Sequence, residues 1–142
     1  MRIFIGGSKA ISSLTAEFTA ELDRIIADGH EILIGDCYGT DLLVQKYLAC
    51  RNYDKVTVYV SGEKVRNNTD GFAVRHIDVP ENCTGFEFRR LKDIVMAEDA
   101  DSRLMLWDGK SRGTAANIAD LRTMDKEVKV YVCAKTWRVL GD

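Results

Sequence analysis

The chain has 142 residues, enough for one domain with a hydrophobic core and too few for two such domains. Hydrophobic residues make up 46% of the sequence, charged residues 30%, and proline occurs once, which argues against a disordered or low-complexity chain. The formal net charge of −2 argues against a protein that wraps DNA or another polyanion, although it leaves room for a local basic pocket.

The apolar run at residues 1–6 is too short for a signal peptide or a membrane span. We therefore expect a cytoplasmic protein whose four cysteines, Cys37, Cys50, Cys83 and Cys133, are free thiols. These cysteines form no CxxC pair and have no histidine at zinc-ligand spacing, so the sequence predicts neither a metal site nor a cofactor.

The first 60 residues predict three strands and two helices. The strands are short β-branched or apolar runs at residues 2–5, 31–34 and 55–60. The helices, at 14–28 and 40–50, carry apolar residues at helical spacing.

Residues 61–84 are polar, contain the single proline and show no clear period, so we expect a functional or mobile loop there. After this loop the pattern resumes. It predicts a helix over 86–99, a strand over 103–107, a helix over 114–124 and a strand over 127–132.

The alternation of strands and helices predicts an α/β fold, a Rossmann-like three-layer sandwich around a five-stranded, mainly parallel sheet. Right-handed crossovers favour the strand order 3-2-1-4-5 within one domain of residues 1–142. In this order the chain reverses direction between the first and fourth strands. The crevice at their carboxyl ends is where such sheets bind ligands.

Three glycine-rich turns open at this edge of the predicted sheet. Gly6, Gly7 and Ser8 follow the first strand, where the glycines permit close approach of a ligand and Ser8 offers a hydroxyl; a plain tight turn is the alternative.

The second turn follows the second strand and is bracketed by Gly35 and Gly39. Its acidic residues Asp36 and Asp41 would repel a phosphate, and they suit either ribose hydroxyls or a structural capping role.

The third turn, residues 108–114 (DGKSRGT), follows the fourth strand and carries most information. Asp108 ends the strand, Lys110 and Ser111 lie in the loop, and Gly113 and Thr114 begin a helix. Cations, hydroxyls and helix N-terminal amides together predict a phosphate cradle, whereas the alternative is a solvated loop with a threonine cap. The order of residues is not that of a Walker A loop.

The combination of GGS, GDCYGTD and DGKSRGT after three strands resembles the SLOG proteins. This Rossmann-like superfamily includes the DNA processing protein A family, the Lonely Guy phosphoribohydrolases and short bacterial stand-alone proteins. Nucleoside deoxyribosyltransferases are similar in layout. The resemblance covers residues 1–132 and implies a nucleotide-derived ligand, sometimes with cleavage of an N-glycosidic bond.

The resemblance extends residue by residue to all three turns. Matching positions are Gly6, Gly7 and Ser8 in the first turn, Gly35, Asp36, Gly39 and Asp41 in the second, and Asp108, Gly113 and Thr114 in the third. The hydrolase and transferase branches place a glutamate three residues after the GT threonine, where this chain has Asn117. The chain also lacks the PGGxGT loop of Lonely Guy proteins. An amide can hold a ribose or a base through hydrogen bonds, but it cannot act as a nucleophile or base.

The leading interpretation is therefore a module that binds a nucleotide or nucleotide-derived small ligand and needs no metal. The alternative is a hydrolase or transferase acting on the N-glycosidic bond of nucleoside monophosphates, with Asp108 as the catalytic candidate. Arg66, Asn67 or Asn68 would then close over the substrate from the polar loop.

A nucleic-acid-handling protein is the third and least favoured interpretation. The sequence is mildly acidic and has no stripe of basic and aromatic residues, so we do not expect a nucleic acid or a membrane as partner. Homo-oligomerisation is compatible with the apolar helix surfaces and with the tail that carries Trp137 and Leu140.

Overall fold

A computed structural model describes residues 1–123 and 126–133 of the chain. Within them, strands alternate with helices over most of the chain, and each predicted element lies within a few residues of its predicted bounds. The strands are β1 (Arg2–Gly7), β2 (Glu31–Gly35), β3 (Val56–Ser61), β4 (Ala73–Ile77), β5 (Ser102–Trp107) and β6 (Glu127–Val132). The helices are α1 (Ala16–Ala27), α2 (Thr40–Cys50), α3 (Gly85–Asp99) and α4 (Arg112–Thr123).

The described strands form one parallel sheet in the order β4-β3-β2-β1-β5-β6. The α/β class, the parallel sheet and the relative order of the five predicted strands are confirmed. In particular, β1 lies between β2 and β5, so the sheet changes winding direction between β1 and β5 as expected.

The prediction of five strands was one short, because β4 lies inside the segment predicted as a loop. This strand forms an edge of the sheet and pairs only with β3, from Thr57↔Ala73 to Ser61↔Ile77. Its residues are exposed or half-buried, and Arg75 and His76 interrupt any apolar run. An edge strand needs only one partner and little burial, so it leaves a weak sequence signal.

The two faces of the sheet carry separate cores, which confirms the three-layer arrangement. On one face, α1 packs Phe18, Leu22 and Ile25, which recur at helical spacing, together with residues of α2. On the opposite face, Met96 of α3 and Ile118 of α4 pack against inward-facing strand residues.

The middle of the segment between β3 and β4 is anchored to α2 by the buried side chain of Gln45. Its amide nitrogen donates to the carbonyl oxygens of Gly35 and Asn67, both at 3.1 Å, and its oxygen accepts from the Thr69 amide at 3.0 Å. This anchor and β4 give the segment more order than its composition suggests.

No helix in residues 1–123 and 126–133 has both the length and the apolar character needed to cross a membrane. The four cysteines lie in this part of the chain and are free thiols. Trp137 and Leu140, which we expected to dock on the body or on a second subunit, lie outside the described residues.

Candidate functional site

A cavity of about 470 Å³ opens at the carboxyl ends of β1 and β5. We call it the rim cavity; its walls come from these strand ends and from α2, α3 and α4. Nine of the predicted site residues line it: Gly6, Gly7, Asp41, Asp108, Lys110, Ser111, Gly113, Thr114 and Asn117. The first and third turns therefore meet at one edge, and the second contributes through Asp41 at the start of α2.

Ser8 lies buried beneath the rim cavity and joins the three turns to one another. Its hydroxyl accepts from the Asp108 amide at 3.0 Å and donates to the Thr114 hydroxyl at 3.4 Å. Its carbonyl accepts from the Thr40 hydroxyl at 2.9 Å. With these contacts, Ser8 holds the turns together rather than lining the cavity.

Two of the predicted glycines are required by close contacts within the protein. A Cβ on Gly7 would lie 2.3 Å from the carbonyl oxygen of Leu106. Gly39 has a φ of +71°, and a Cβ there would lie 2.2 Å from the carbonyl oxygen of Lys9. These glycines therefore permit close approach between two segments of the chain itself, whereas from the sequence we expected Gly7 to permit close approach of a ligand.

The carboxylate of Asp108 is engaged in its own turn. One oxygen accepts from the amides of Lys110 and Ser111, at 2.8 and 2.7 Å, and from the Ser111 hydroxyl at 3.0 Å. Burial opposes ionisation, but these hydrogen bonds prevail and lower the pKa of Asp108 below its ordinary value. Asp108 therefore shapes the loop that leads into α4.

The first turn of α4 presents unpaired main-chain N–H groups to the rim cavity. The first intrahelical bond runs from the Ala115 amide to the Ser111 carbonyl at 3.1 Å. The amides of Arg112, Gly113 and Thr114 have no carbonyl four residues behind them in the helix, and no described residue accepts from them. Together with the exposed side chains of Lys110 and Arg112, they favour an anion at this position.

A buried lysine and its partners form the floor of the rim cavity. Lys92 of α3 is 1% exposed, and its ammonium donates to the Arg89 carbonyl at 3.0 Å and to Asp93 Oδ1 at 3.3 Å. The other oxygen of Asp93 accepts from the Asn117 amide at 3.3 Å. Burial acts to lower the pKa of Lys92, but nearby negative charge, chiefly that of Asp93, raises it above the ordinary value.

Asp41 is the second carboxyl group of the floor. Its Oδ2 accepts from the Cys37 amide at 3.2 Å and lies 2.6 Å from the position that a Cβ on Gly35 would occupy. The same Cβ would lie 3.1 Å from Cε of Lys92, so the glycine makes room for both side chains. Burial raises the pKa of Asp41 to about 7, with Lys92 opposing and Asp93 adding to the rise.

Sequence reasoning missed the contribution of α3 to the cavity wall. The α3 residues that line it are Phe86, Arg89, Arg90, Lys92, Asp93 and Met96. Lys92 precedes the buried Met96 by four residues, so the two side chains share the inward face of α3, but the spacing alone did not show which face of the helix is buried. Across the cavity mouth, the guanidinium of Arg112 lies 4.1 Å from the ring centroid of Phe86.

The remaining predicted residues of the second turn and the polar loop lie beside the rim cavity. Asp36 is buried and accepts from Arg66 twice, from Nη2 at 2.8 Å and from the main-chain amide at 2.9 Å. The Asn67 side chain donates to the Asp36 carbonyl at 3.0 Å, and Asn68 pairs with the backbone of Phe72. In this structure, therefore, the residues expected to form a lid are bound to the second turn and to their own loop.

No family model, curated protein or solved structure matches the chain. The resemblance to SLOG proteins therefore rests on the three turn motifs alone.

Proposed function

We propose that the chain binds a nucleotide or nucleotide-derived small molecule in the rim cavity. The observation that carries this proposal is the distribution of charge: exposed cations surround the mouth, and the floor holds the carboxyl groups of Asp41 and Asp93 together with one buried ammonium, that of Lys92. Lys9, Arg89, Lys110 and Arg112 are exposed, whereas Asp41 is buried. A ligand with one anionic end and one end rich in hydrogen-bond donors is complementary to this arrangement.

The anionic end fits the start of α4. A phosphate there would accept from the amides of Gly113 and Thr114 and would be neutralised by Lys110 and Arg112. Because these amides are unpaired among the described residues, binding would not require any hydrogen bond of the turn to break.

The floor suits the sugar or the base. The carboxyl groups of Asp41 and Asp93 accept hydrogen bonds from ribose hydroxyls or exocyclic amines, and the amide of Asn117 can accept through its oxygen. The Phe86 ring, which carries the Arg112 guanidinium, forms an apolar wall at the mouth.

Thermal unfolding with a panel of nucleoside monophosphates tests the proposal. A ligand present at a hundred times its Kd stabilises the folded state by about 2.7 kcal/mol. We expect this stabilisation to weaken in the double variant Lys110→Ala/Arg112→Ala and to persist in Lys46→Ala, a control that removes an exposed lysine of α2 outside the cavity. The absence of stabilisation by every nucleotide would contradict the proposal.

A second candidate is hydrolysis of the N-glycosidic bond of a nucleoside monophosphate, favoured by the presence of two carboxyl groups, Asp41 and Asp93, at the floor. Water would add to C1′ as the bond to the base breaks, and the base would leave with a proton. Asp41, whose pKa of about 7 leaves it partly protonated at neutral pH, suits the proton donor. Asp93, beside Asn117, supplies the carboxylate that position 117 lacks.

Release of free base from each nucleotide, followed chromatographically, distinguishes the two candidates. If the chain is an enzyme, Asp93→Asn should abolish release even at nucleotide concentrations that saturate the site, whereas Asp108→Asn should act mainly on the stability of the turn. No release from any nucleotide would favour the binding module. A cytoplasmic location and homo-oligomerisation remain predictions.

A further inference from the structure

A second cavity, of about 450 Å³, adjoins the rim cavity at the carboxyl ends of β2 and β3 and the start of α3. We call it the side cavity. Its walls include Asp36, Lys64, Arg66, Phe88 and Arg89. Arg89 lines both cavities, and the consecutive residues Asp36 and Cys37 line the side and rim cavities respectively, so the two spaces are neighbours.

Arg66 is a fixed and incompletely used donor in the side cavity. Its Nη2 is bound to Asp36 Oδ1 at 2.8 Å and lies 3.1 Å from Sγ of Cys37, and its main-chain amide is bound to the same carboxylate. Nε and Nη1 donate to no residue in the described part of the chain, and the side chain is 23% exposed. The buried carboxylate therefore orients a guanidinium that still has free N–H groups.

The charge of the side cavity favours an anion. Asp36 is the one carboxylate among its described lining residues, and its charge is balanced by Arg66. Lys64 and Arg89 are exposed cations with no carboxylate within ion-pair distance among the described residues. The Phe88 ring adds an apolar wall, so an anionic group that carries a planar or apolar unit fits both features.

We propose that the natural ligand is of dinucleotide type, with one nucleoside unit in the rim cavity and a second unit, joined through phosphate, in the side cavity. This inference rests on the proposed function and specifies its ligand class. The first phosphate would lie at the start of α4, as in the proposed function, and the second would pass Arg89, which lines both cavities. Each cavity falls within the size range of small-molecule sites, about 300–1,000 Å³.

Calorimetric titration with matched ligands tests the inference. The ligands are AMP, GMP, CMP and UMP, the corresponding nucleoside diphosphates, and the four symmetrical dinucleoside diphosphates. For the preferred base, we expect the dinucleoside diphosphate to bind about tenfold or more tightly than either the monophosphate or the diphosphate. The diphosphate separates the effect of an added phosphate from that of a second nucleoside.

Two variants confined to the side cavity show whether it holds the second unit. Lys64→Ala and Phe88→Leu should each reduce the affinity for the dinucleoside diphosphate several-fold and leave the monophosphate affinity unchanged. Lys46→Ala is the matched control for lysine removal, and Lys64 is exposed, so its loss should not prevent folding.

Each outcome bears on the inference in a definite way. Equal affinities for the diphosphate and the dinucleoside diphosphate, or side-cavity variants that weaken all ligands alike, would overturn it and leave the proposed function intact. Failure of every ligand to bind would overturn both.

Discussion

The side-chain amide of Asn117 donates a hydrogen bond to Asp93 Oδ2 over 3.3 Å, joining α4 to α3 across the wall of the rim cavity. The other oxygen of Asp93 binds the buried ammonium of Lys92. An amide at position 117 therefore stabilises a carboxylate on the neighbouring helix, which a glutamate or aspartate at this position would instead repel.

The variant Asn117→Asp should be less stable than the parent protein at pH 8, by about 1–3 kcal/mol, because it replaces a donor with a second carboxylate. The new pair would bind a proton more readily when folded than when unfolded, so the deficit should shrink as the pH falls towards 5. Urea unfolding of both proteins at pH 8 and pH 5 measures the difference in their free energies of unfolding. The control is Asn117→Ala, which removes the hydrogen bond without adding charge. If Asn117→Asp were as stable as Asn117→Ala at pH 8, the prediction would be wrong.

Asp41 should make the stability of the protein depend on pH between about 4 and about 7. Its pKa is raised from 3.8 to about 7 on folding, so in this interval the folded state binds more protons than the unfolded state. The free energy of unfolding should therefore fall as the pH rises through the interval and level off above it. Burial is the largest cause of the raised pKa; the charge of Lys92 opposes it, and the charges of Asp93 and Asp36 add to it.

The variant Asp41→Asn should lose this pH dependence and should be more stable than the parent at pH 8 by about 1–3 kcal/mol, since burial no longer opposes a charge. Asparagine keeps an oxygen that can accept from the Cys37 amide. Urea unfolding from pH 4 to pH 8 gives the two profiles, and profiles that run parallel would show that Asp41 does not titrate as inferred.

The sequence was sufficient to predict the layers, the order of the predicted strands and the convergence of the first and third turns. Apolar periodicity marks buried elements, and parallel topology then brings the carboxyl ends of β1 and β5 together. It was not sufficient for β4, whose exposed edge position leaves Arg75 and His76 within the strand.

The chemistry of the site was harder to predict than its position. Asp108 has the residue type expected of a catalytic carboxylate, but its oxygen is engaged by the Ser111 and Lys110 amides, a local competition that spacing does not reveal. In the sequence, Lys92 and Asp93 lie among apolar residues of α3. The structure is needed to show which face of α3 packs on the sheet, and therefore that both residues line the rim cavity.

Gly7→Ala should destabilise the protein by about 1–3 kcal/mol, because its Cβ would lie 2.3 Å from the Leu106 carbonyl oxygen and 2.7 Å from the Thr40 side chain. The control is Gly113→Ala in the first turn of α4, where the nearest atom is a Phe86 ring carbon at 4.0 Å. We expect that change to be neutral or slightly stabilising, because alanine favours a helix. Thermal unfolding of both variants measures the two changes in stability. If Gly7→Ala and Gly113→Ala changed stability equally, the steric role of the contact at Gly7 would be wrong.

The ion pair between Arg66 and Asp36 should contribute far more to stability than the exposed pair between Arg2 and Glu31. Asp36 is buried beneath Arg66, whereas the side chains of Arg2 and Glu31 are 52% and 60% exposed. Removing one partner of a buried pair leaves an uncompensated charge and costs about 3–5 kcal/mol, and loss of an exposed pair costs about 0–1 kcal/mol.

We therefore expect Arg66→Ala to lower the urea midpoint strongly and Arg2→Ala to leave it almost unchanged. Adding Asp36→Asn to Arg66→Ala should restore part of the lost stability, because the buried group is then neutral. If Arg66→Ala were no more harmful than Arg2→Ala, or if the second substitution restored nothing, the buried ion pair would not contribute to stability as proposed.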